Sequence, residues 1–180
     1  MTMDLIRGRA WCYGDNVSTD AIIPGKYLKL NADEAAAHVM EGVDPDFVKR
    51  ARPGDVVVGG RNFGCGSSRE LAPDSLKCAR VGAVVARSFG RIFFRNAVNV
   101  GFPLLECAEA DRIQSGDELE IDVGAGAIRN LTRGEDYQST LFPEHLRLML
   151  EAGGLVPYLE KRIRSGALKA APRPAPSPKE

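Results

Sequence analysis

The sequence predicts an α/β domain whose sheet has a parallel component, and three observations support this fold class. Short apolar runs at residues 56–58, 83–86 and 103–106 have the length and composition of buried strands. Segments with helical character, residues 69–80 and 88–100, separate these runs. Such an alternation of strand and helix is typical of parallel strands that are joined by helical crossovers.

The N-terminal third predicts two extended segments and one helix. Residues 5–13 have strand character, with Gly8 as the expected position of a bulge. Residues 22–25 are expected to end a second, shorter extended segment. The alanine-rich run 33–40 favours a helix, for which Asn31 is the expected N-cap, with a glutamate three residues later to complete a capping box.

The C-terminal half predicts further elements around the helix of residues 88–100, which Ser88 is expected to cap and Gly101 to end. Two strands and two helices are expected to follow, at residues 118–123, 127–131, 143–152 and 156–163. We therefore expect one domain over residues 1–165. The remaining stretch, residues 166–180, is rich in proline and charge, which predicts a disordered tail.

Composition argues against several classes of function. Lys plus Arg and Asp plus Glu each number 24, so the formal net charge is zero, whereas nucleic-acid binding favours a basic excess. No stretch approaches the roughly 20 apolar residues that a membrane span needs, and residues 1–9 do not resemble a secretory signal. The four cysteines form no CxxC pair and only two histidines exist, which disfavours a metal site in this chain. Free thiols without a signal favour the cytoplasm.

The densest chemical signal is the Gly-rich segment between the strand at 56–58 and the following helix. This segment, residues 59–70, is called the Ser67 loop below. A helix start offers free N–H donors for an anion, and Arg69 can grip a carboxylate through two parallel hydrogen bonds. The loop matches neither a P-loop nor a Gly-x-Ser-x-Gly nucleophile elbow. An ordinary strand-to-helix turn that Ser67 or Ser68 caps is the alternative interpretation.

Four segments, in this order, resemble one enzyme family. They are NVSTDAIIPGKYL, GCGSSRE, ARSFGRIFFRNAVNVG and the weaker EAGGLV, at residues 16–28, 64–70, 86–101 and 151–156. Together they resemble the small subunits of 3-isopropylmalate dehydratase and homoaconitase, and the swivelling C-terminal domain of aconitase. The resemblance extends from about residue 5 to residue 162.

The resemblance implies a swivelling β/β/α domain and a hydro-lyase that interconverts 2- and 3-isopropylmalate by dehydration and rehydration, as in leucine biosynthesis. It also implies a heterodimeric unit in which a separate large subunit carries a [4Fe–4S] cluster, with no cofactor in this chain. The substrate would be a small hydroxylated dicarboxylic or tricarboxylic acid. Homoaconitase, dimethylmalate dehydratase and a non-catalytic anion-binding module remain as alternatives.

The resemblance also assigns roles to individual residues. Ser67 would act as the base, and Ser68 and Arg69 would hold a substrate carboxylate. Asp20 would orient neighbouring side chains, although a simple Asx-type turn remains an alternative. Lys29 occupies the position associated with substrate choice, where homoaconitase-like members carry arginine and isopropylmalate-specific members carry a neutral residue.

Arg91 and Arg95 lie four residues apart on the helix that the third segment predicts. They are able to face the acid-binding cleft, to contact the partner subunit or to serve the fold. The sequence leaves these three roles open.

Overall fold

Seven strands form one continuous sheet in the computed structural model, which describes residues 5–168. The sheet order is β4-β3-β2-β1-β5-β6-β7, with β1 to β4 parallel and β5 to β7 antiparallel. The strands are β1 (Ile6–Cys12), β2 (Val56–Gly59), β3 (Ala83–Ala86), β4 (Leu104–Glu106), β5 (Glu118–Asp122), β6 (Ala127–Asn130) and β7 (Glu135–Gln138).

Seven α-helices accompany the sheet in the described part of the chain. They are α1 (Thr19–Ile22), α2 (Ala32–Ala35), α3 (Phe47–Arg50), α4 (Leu71–Cys78), α5 (Arg91–Val100), α6 (Glu144–Glu151) and α7 (Leu155–Arg164). Three single turns of 3₁₀-helix occur at Gly25–Tyr27, Ala36–His38 and Ala110–Arg112. Across residues 5–168, no helix has both the length and the apolar character that a bilayer crossing requires.

Two hydrophobic cores lie on opposite faces of the parallel strands. Val57 and Val84 point into a core formed with the helices, whereas Val56, Val58 and Val85 point into a core formed with β5 to β7. Because successive side chains of a strand face opposite sides, both faces of β2 and β3 are buried, which explains their uninterrupted apolar runs. The antiparallel half therefore curls over the parallel half, and the predicted β/β/α arrangement is confirmed.

Several local predictions are confirmed. Asn31 accepts a hydrogen bond from the N–H of Glu34 at 3.0 Å, and the Glu34 side chain accepts one from the N–H of Asn31, so the capping box is present. The helix it opens is shorter than predicted, because α2 passes into a 3₁₀ turn and Met40 has a φ of +64°. Gly101 ends α5 in the left-handed conformation, as predicted.

Three local predictions are wrong. Gly8 forms no bulge; it pairs in register with Leu119, and a Cβ there would lie 2.2 Å from the carbonyl oxygen of Gly54. Residues 22–25 do not end an extended segment, because Ile22 closes helix α1. Ser88 does not cap α5, whose N-cap is Gly90.

The predicted division at residue 165 stays a prediction. Most of the expected tail, residues 169–180, lies outside the described residues. Residues 166–168 are described, and the N–H of Leu168 donates to the carbonyl oxygen of Arg162 at 3.1 Å.

Candidate active site

The Ser67 loop follows the carboxyl end of β2, and the segments after β1 and β3 flank it on the same edge of the sheet. On the β1 side, the N–H of Gly64 donates to the carbonyl oxygen of Val17 at 2.7 Å. The N–H of Thr19 donates in turn to the carbonyl oxygen of Cys65 at 2.8 Å. Ligands of open α/β sheets bind at this kind of edge, outside the carboxyl ends of parallel strands.

The segment after β3 fixes the other side of the loop. The N–H of Phe63 donates to the carbonyl oxygen of Ser88 at 3.0 Å, and the N–H of Gly90 donates to the carbonyl oxygen of Phe63 at 2.8 Å. The Ser88 hydroxyl accepts a bond from the N–H of Asn62 at 2.9 Å, so this side chain serves the loop rather than α5. Three of the four segments that carry the family resemblance therefore meet at one place.

Backbone conformation turns the tip of the loop outward. Gly64 and Gly66 have φ values of +75° and +96°, which suit glycine. Ser67 and Ser68 are exposed. The Ser67 carbonyl oxygen is occupied, because it accepts bonds from the N–H of Arg69 at 2.8 Å and from Oγ1 of Thr19 at 3.2 Å.

The N–H groups around Ser67 are available to a ligand. In the part of the chain that the structure describes, the N–H groups of residues 66–68 donate to no protein acceptor. Successive free N–H groups next to a hydroxyl can stabilise negative charge.

Arg69 and Asp20 form an ion pair beside these serines. Nη1 of Arg69 lies 2.6 Å from Oδ1 of Asp20 and donates to the carbonyl oxygen of Ile23 at 3.0 Å. The Arg69 side chain is 15% exposed and that of Asp20 is 58% exposed. A guanidinium has five N–H donors, so these two contacts hold Arg69 in place and leave donors for a carboxylate. The structure thus brings together Ser67, Ser68, Arg69 and Asp20.

The turn before Lys29 also approaches this pair. A Cβ at Gly25 would lie 3.9 Å from Nη2 of Arg69 and 3.8 Å from Oδ1 of Asp20. Lys29 is exposed two residues beyond the 3₁₀ turn, and within residues 5–168 its side chain makes no hydrogen bond or ion pair. The structure therefore brings the turn to the site but does not bring Lys29 into contact with Arg69.

Glu41, which the sequence did not single out, holds that turn. Its carboxylate accepts bonds from the hydroxyl of Tyr27 at 2.7 Å and from Nζ of Lys26 at 2.7 Å, and it lies 3.0 Å from Nδ1 of His38. The bonds from Lys26 and then Tyr27 lower the pKa of Glu41 to about 2. No sequence pattern links these residues. Thr19 was also not predicted as a site residue, although it lies inside the first segment of the family resemblance, residues 16–28.

An open groove of about 670 Å³ borders the loop. One wall is the loop itself, through Asn62, Cys65 and Gly66. The other wall is the first half of α5, where Arg91 and Arg95 are exposed. Both arginines are exposed in this groove, which argues against a role inside the fold and leaves acid binding and partner contact as the two alternatives.

The described residues offer no metal site. Among them, no three His, Cys, Asp or Glu side chains lie close enough together to hold a metal ion. Burial raises the pKa values of the Cys12 and Cys78 thiols to about 11. The four cysteines are therefore separate and in part buried, and they do not fit an iron–sulfur cluster.

Comparisons with known proteins agree with this geometry. The model of the aconitase C-terminal domain family matches residues 15–110. The 3-isopropylmalate dehydratase small subunit of Methanosarcina acetivorans is 54% identical over 159 residues, which cover 88% of this chain and 98% of that protein. The homoaconitase small subunit of Methanothermobacter thermautotrophicus is 53% identical over 163 residues, covering 90% and 95%.

A solved structure extends the agreement to the fold. A crystal structure of a 3-isopropylmalate dehydratase from Methanocaldococcus jannaschii superposes with a TM-score of 0.87 and 44% identity, covering 93% of this chain and all of that one. The chain therefore belongs to the aconitase C-terminal domain family, in the branch whose members include small subunits of 3-isopropylmalate dehydratase and homoaconitase.

Proposed function

We propose that this chain is the small subunit of a two-subunit hydro-lyase that interconverts 2-isopropylmalate and 3-isopropylmalate by dehydration and rehydration, a step of leucine biosynthesis. The names of the relatives supply the reaction and the substrate class. The observation that carries the proposal is the convergence of the exposed Ser67 hydroxyl, free N–H groups and the Arg69–Asp20 pair at one edge of the sheet.

Ser67 is the proposed base. The reaction removes a proton from a carbon that adjoins a carboxylate, and a neutral hydroxyl is too weakly basic to take it. The free N–H groups of residues 66–68 and the positive charge of Arg69 favour the ionised oxygen of Ser67. Loss of this proton and of hydroxide from the adjacent carbon leaves an unsaturated acid; in the rehydration step the Ser67 hydroxyl gives a proton to the carbon that lost hydroxide, and hydroxide adds to the carbon that lost the proton.

Ser68 and Arg69 are the proposed carboxylate contacts. A carboxylate that two donors hold presents its C–H bond to Ser67 in one orientation, which lowers the entropic part of the barrier. Asp20 restrains the guanidinium before substrate arrives, so less side-chain entropy is lost on binding. The residues that bind and the residue that takes the proton then belong to one loop.

The remaining chemistry is assigned to a separate large subunit. A [4Fe–4S] cluster held by that subunit supplies Lewis-acid activation of the leaving hydroxyl. The separation of the four cysteines in this chain supports the assignment of the cluster to the large subunit. We place the assembled enzyme in the cytoplasm, because free thiols persist in a reducing compartment.

Alanine substitutions of the two neighbouring serines provide a matched test of their proposed roles. In the assembled enzyme, Ser67→Ala should lower kcat by about 10³-fold, because it removes the proton acceptor. Ser68→Ala should raise KM by about tenfold and retain most of kcat, because it removes a hydrogen bond to bound substrate. Anaerobic steady-state kinetics with 3-isopropylmalate measure both. Wild-type turnover by Ser67→Ala would favour a non-catalytic anion-binding module instead.

Lys29 favours a second candidate, homoaconitase, because its ammonium is exposed and pairs with no carboxylate within residues 5–168, so that it is able to take a third carboxylate of the substrate. Dimethylmalate, like isopropylmalate, has no such group. If the substrate is homoaconitate, Lys29→Ala should lower kcat/KM for it by about 10–100-fold and leave isopropylmalate turnover unchanged. Lys161→Ala, an exposed change on α7, is the control. Equal turnover of both acids before and after the substitution would count against any role of Lys29 in substrate choice.

A further inference from the structure

Glu41 joins two parts of the site, one through its backbone neighbours and one through its side chain. On one side of it, the N–H of Met40 donates to the carbonyl oxygen of Ile22 at 2.8 Å. On the other side, the N–H of Gly42 donates to the carbonyl oxygen of Ala21 at 3.1 Å. A Cβ at Gly42 would lie 2.7 Å from Cα of Ala21, so glycine allows the two segments to approach this closely. The backbone around Glu41 is therefore fixed against helix α1.

The side chain of Glu41 holds the Gly25–Tyr27 turn. Its carboxylate is 27% exposed and takes the bonds from Tyr27 and Lys26 that are described above, so water and salt screen these bonds only in part. The ring of Tyr27 also stacks on the imidazole of His38, with centroids 3.8 Å apart and planes inclined by 12°. Nζ of Lys26 lies 4.7 Å from the centroid of the same ring. Three side chains thus restrain the end of one short turn.

This turn lies against the proposed carboxylate site. Its first residue, Gly25, leaves less than 4 Å between a Cβ position and the ion pair of Arg69 with Asp20. The carbonyl oxygen of Ile23, two residues earlier, accepts the hydrogen bond from Nη1 of Arg69. The segment from α1 to the turn therefore surrounds the guanidinium, and Glu41 with its neighbours holds that segment at both ends.

We infer that Glu41 is a positioning residue for the substrate: it holds the Gly25–Tyr27 turn against Arg69 and thereby sets the geometry in which a substrate carboxylate is received. The inference rests on the proposed function, since it assumes a carboxylic acid at Arg69. Without the carboxylate of Glu41 the turn samples other positions, and ordering it again on binding costs conformational entropy.

The expected effect is on substrate binding rather than on proton transfer. The Ser67 loop is held separately, through its backbone bonds to the segments after β1 and β3, so the base keeps its place when the turn loosens. A carboxylate contact is made in the ground state and in the transition state alike, and the loss of such a contact raises KM with little change in kcat.

Steady-state kinetics of the assembled enzyme with 3-isopropylmalate test this split. Glu41→Ala should raise KM by about tenfold and leave kcat within about threefold of wild type. Glu41→Gln should keep KM within about threefold, because its amide oxygen still accepts the bond from the Tyr27 hydroxyl. Tyr27→Phe removes that bond without a change of charge and should raise KM by about fivefold. If Glu41→Ala does not fold, Tyr27→Phe decides the question.

A second cluster of the same composition supplies the control. The carboxylate of Glu135 accepts bonds from the hydroxyl of Tyr137 and from Nη2 of Arg112, and the guanidinium lies over the Tyr137 ring. Both Glu135 and Tyr137 belong to β7, in the antiparallel half of the sheet, from which none of the proposed site residues comes. Glu135→Ala and Tyr137→Phe should therefore leave KM within about twofold of wild type, whatever they do to the melting temperature.

Hydrogen exchange gives a readout that needs no turnover. In the full-length chain, Glu41→Ala should speed amide exchange of residues 24–30 by about tenfold and leave the Ser67 loop at the wild-type rate. An unchanged KM in Glu41→Ala, unchanged exchange in residues 24–30, or an equal rise of KM in the β7 controls would overturn the inference. An assembled wild-type enzyme that turns over none of isopropylmalate, homoaconitate and dimethylmalate would overturn the proposed function, and the inference with it.

Discussion

Replacing Gly64 with alanine should destabilise the protein through two effects, the left-handed backbone at this position and the close contact between the Ser67 loop and α5. Gly64 has a φ of +75°, and a Cβ there would lie 2.2 Å from Cγ of Phe93. The left-handed backbone costs alanine about 1–2 kcal/mol, and the reduced entropy of the unfolded chain returns about 0.4–1 kcal/mol. Phe93 is 2% exposed and the overlap includes its Cβ, so the ring cannot swing away. Such overpacking adds about 1–3 kcal/mol.

Gly134 supplies the control. Its φ is +68°, close to that of Gly64, but a Cβ there meets nothing within 4 Å. Gly134→Ala should therefore cost about 1 kcal/mol and Gly64→Ala about 2–4 kcal/mol in free energy of unfolding. In melting temperature, these costs correspond to decreases of about 2–4 °C and roughly 5–15 °C.

Urea unfolding provides the measurement. Trp11 is the single tryptophan, and its Nε1 donates to Oδ2 of Asp55 at 2.8 Å, so its fluorescence reports on the junction of β1 with the turn before β2. The difference between the two variants isolates the contact with Phe93, because the backbone terms are common to both. Equal destabilisation by the two substitutions would refute the argument that this contact positions the loop.

Three further predictions concern other groups. Asp20→Asn weakens the ion pair to Arg69 and should raise KM more than it lowers kcat in steady-state assays; an unchanged KM would contradict the positioning role. The pKa of Glu41, about 2 against an ordinary 4.5, implies that its bonds stabilise the fold above pH 4.5 and are lost as the pH falls towards 2. The melting temperatures of wild type and Glu41→Gln should therefore differ at pH 6 and converge over that interval, and a constant difference would count against this assignment. Cys12, with a thiol pKa of about 11, should react with iodoacetamide about tenfold faster per pH unit above pH 8 by peptide mass spectrometry; a rate independent of pH would be inconsistent with a buried thiol.

The fold was predictable where one physical signal dominated. The apolar runs of β2 and β3 have both faces buried, so nothing polar interrupts the pattern that identifies them. Strand β7 was missed because Glu135–Gln138 has one buried residue, Tyr137, and lies at the edge of the sheet. Its pairing with β6 is a backbone interaction that side chains scarcely reveal.

Tertiary context overrode local preference at two places. Ile22 and Ile23 before a proline favour an extended chain, yet Ser18 caps a helical turn there and both isoleucines are fully buried. Ser88 has the side chain of an N-cap, but its hydroxyl instead accepts a bond from the loop of another strand. In the first case, burial of the isoleucines in the core outweighs their local preference. In the second case, the Ser88 hydroxyl bonds to Asn62, which lies 26 residues away in the sequence.

The candidate site, like the fold, was predictable from the sequence only in part. The chemistry of the Ser67 loop follows from its own residues, because glycines, hydroxyls and an arginine are adjacent in the chain. The ion pair of Arg69 with Asp20 joins residues on different loops, and only the family resemblance linked them beforehand. Glu41 had no such link, because its hydrogen bond from Tyr27 of the 3₁₀ turn exists only in the folded chain.

The anchoring of the Ser67 loop has a consequence for protein engineering. The loop takes its hydrogen-bond partners from Val17 and Ser88, which belong to stretches on either side of it in the chain. If residues 59–70 alone were grafted into another scaffold, the N–H groups of Phe63 and Gly64 would lose the carbonyl acceptors of Ser88 and Val17. Any exchange intended to redirect the specificity of such a protein must carry all three stretches together, as one cassette.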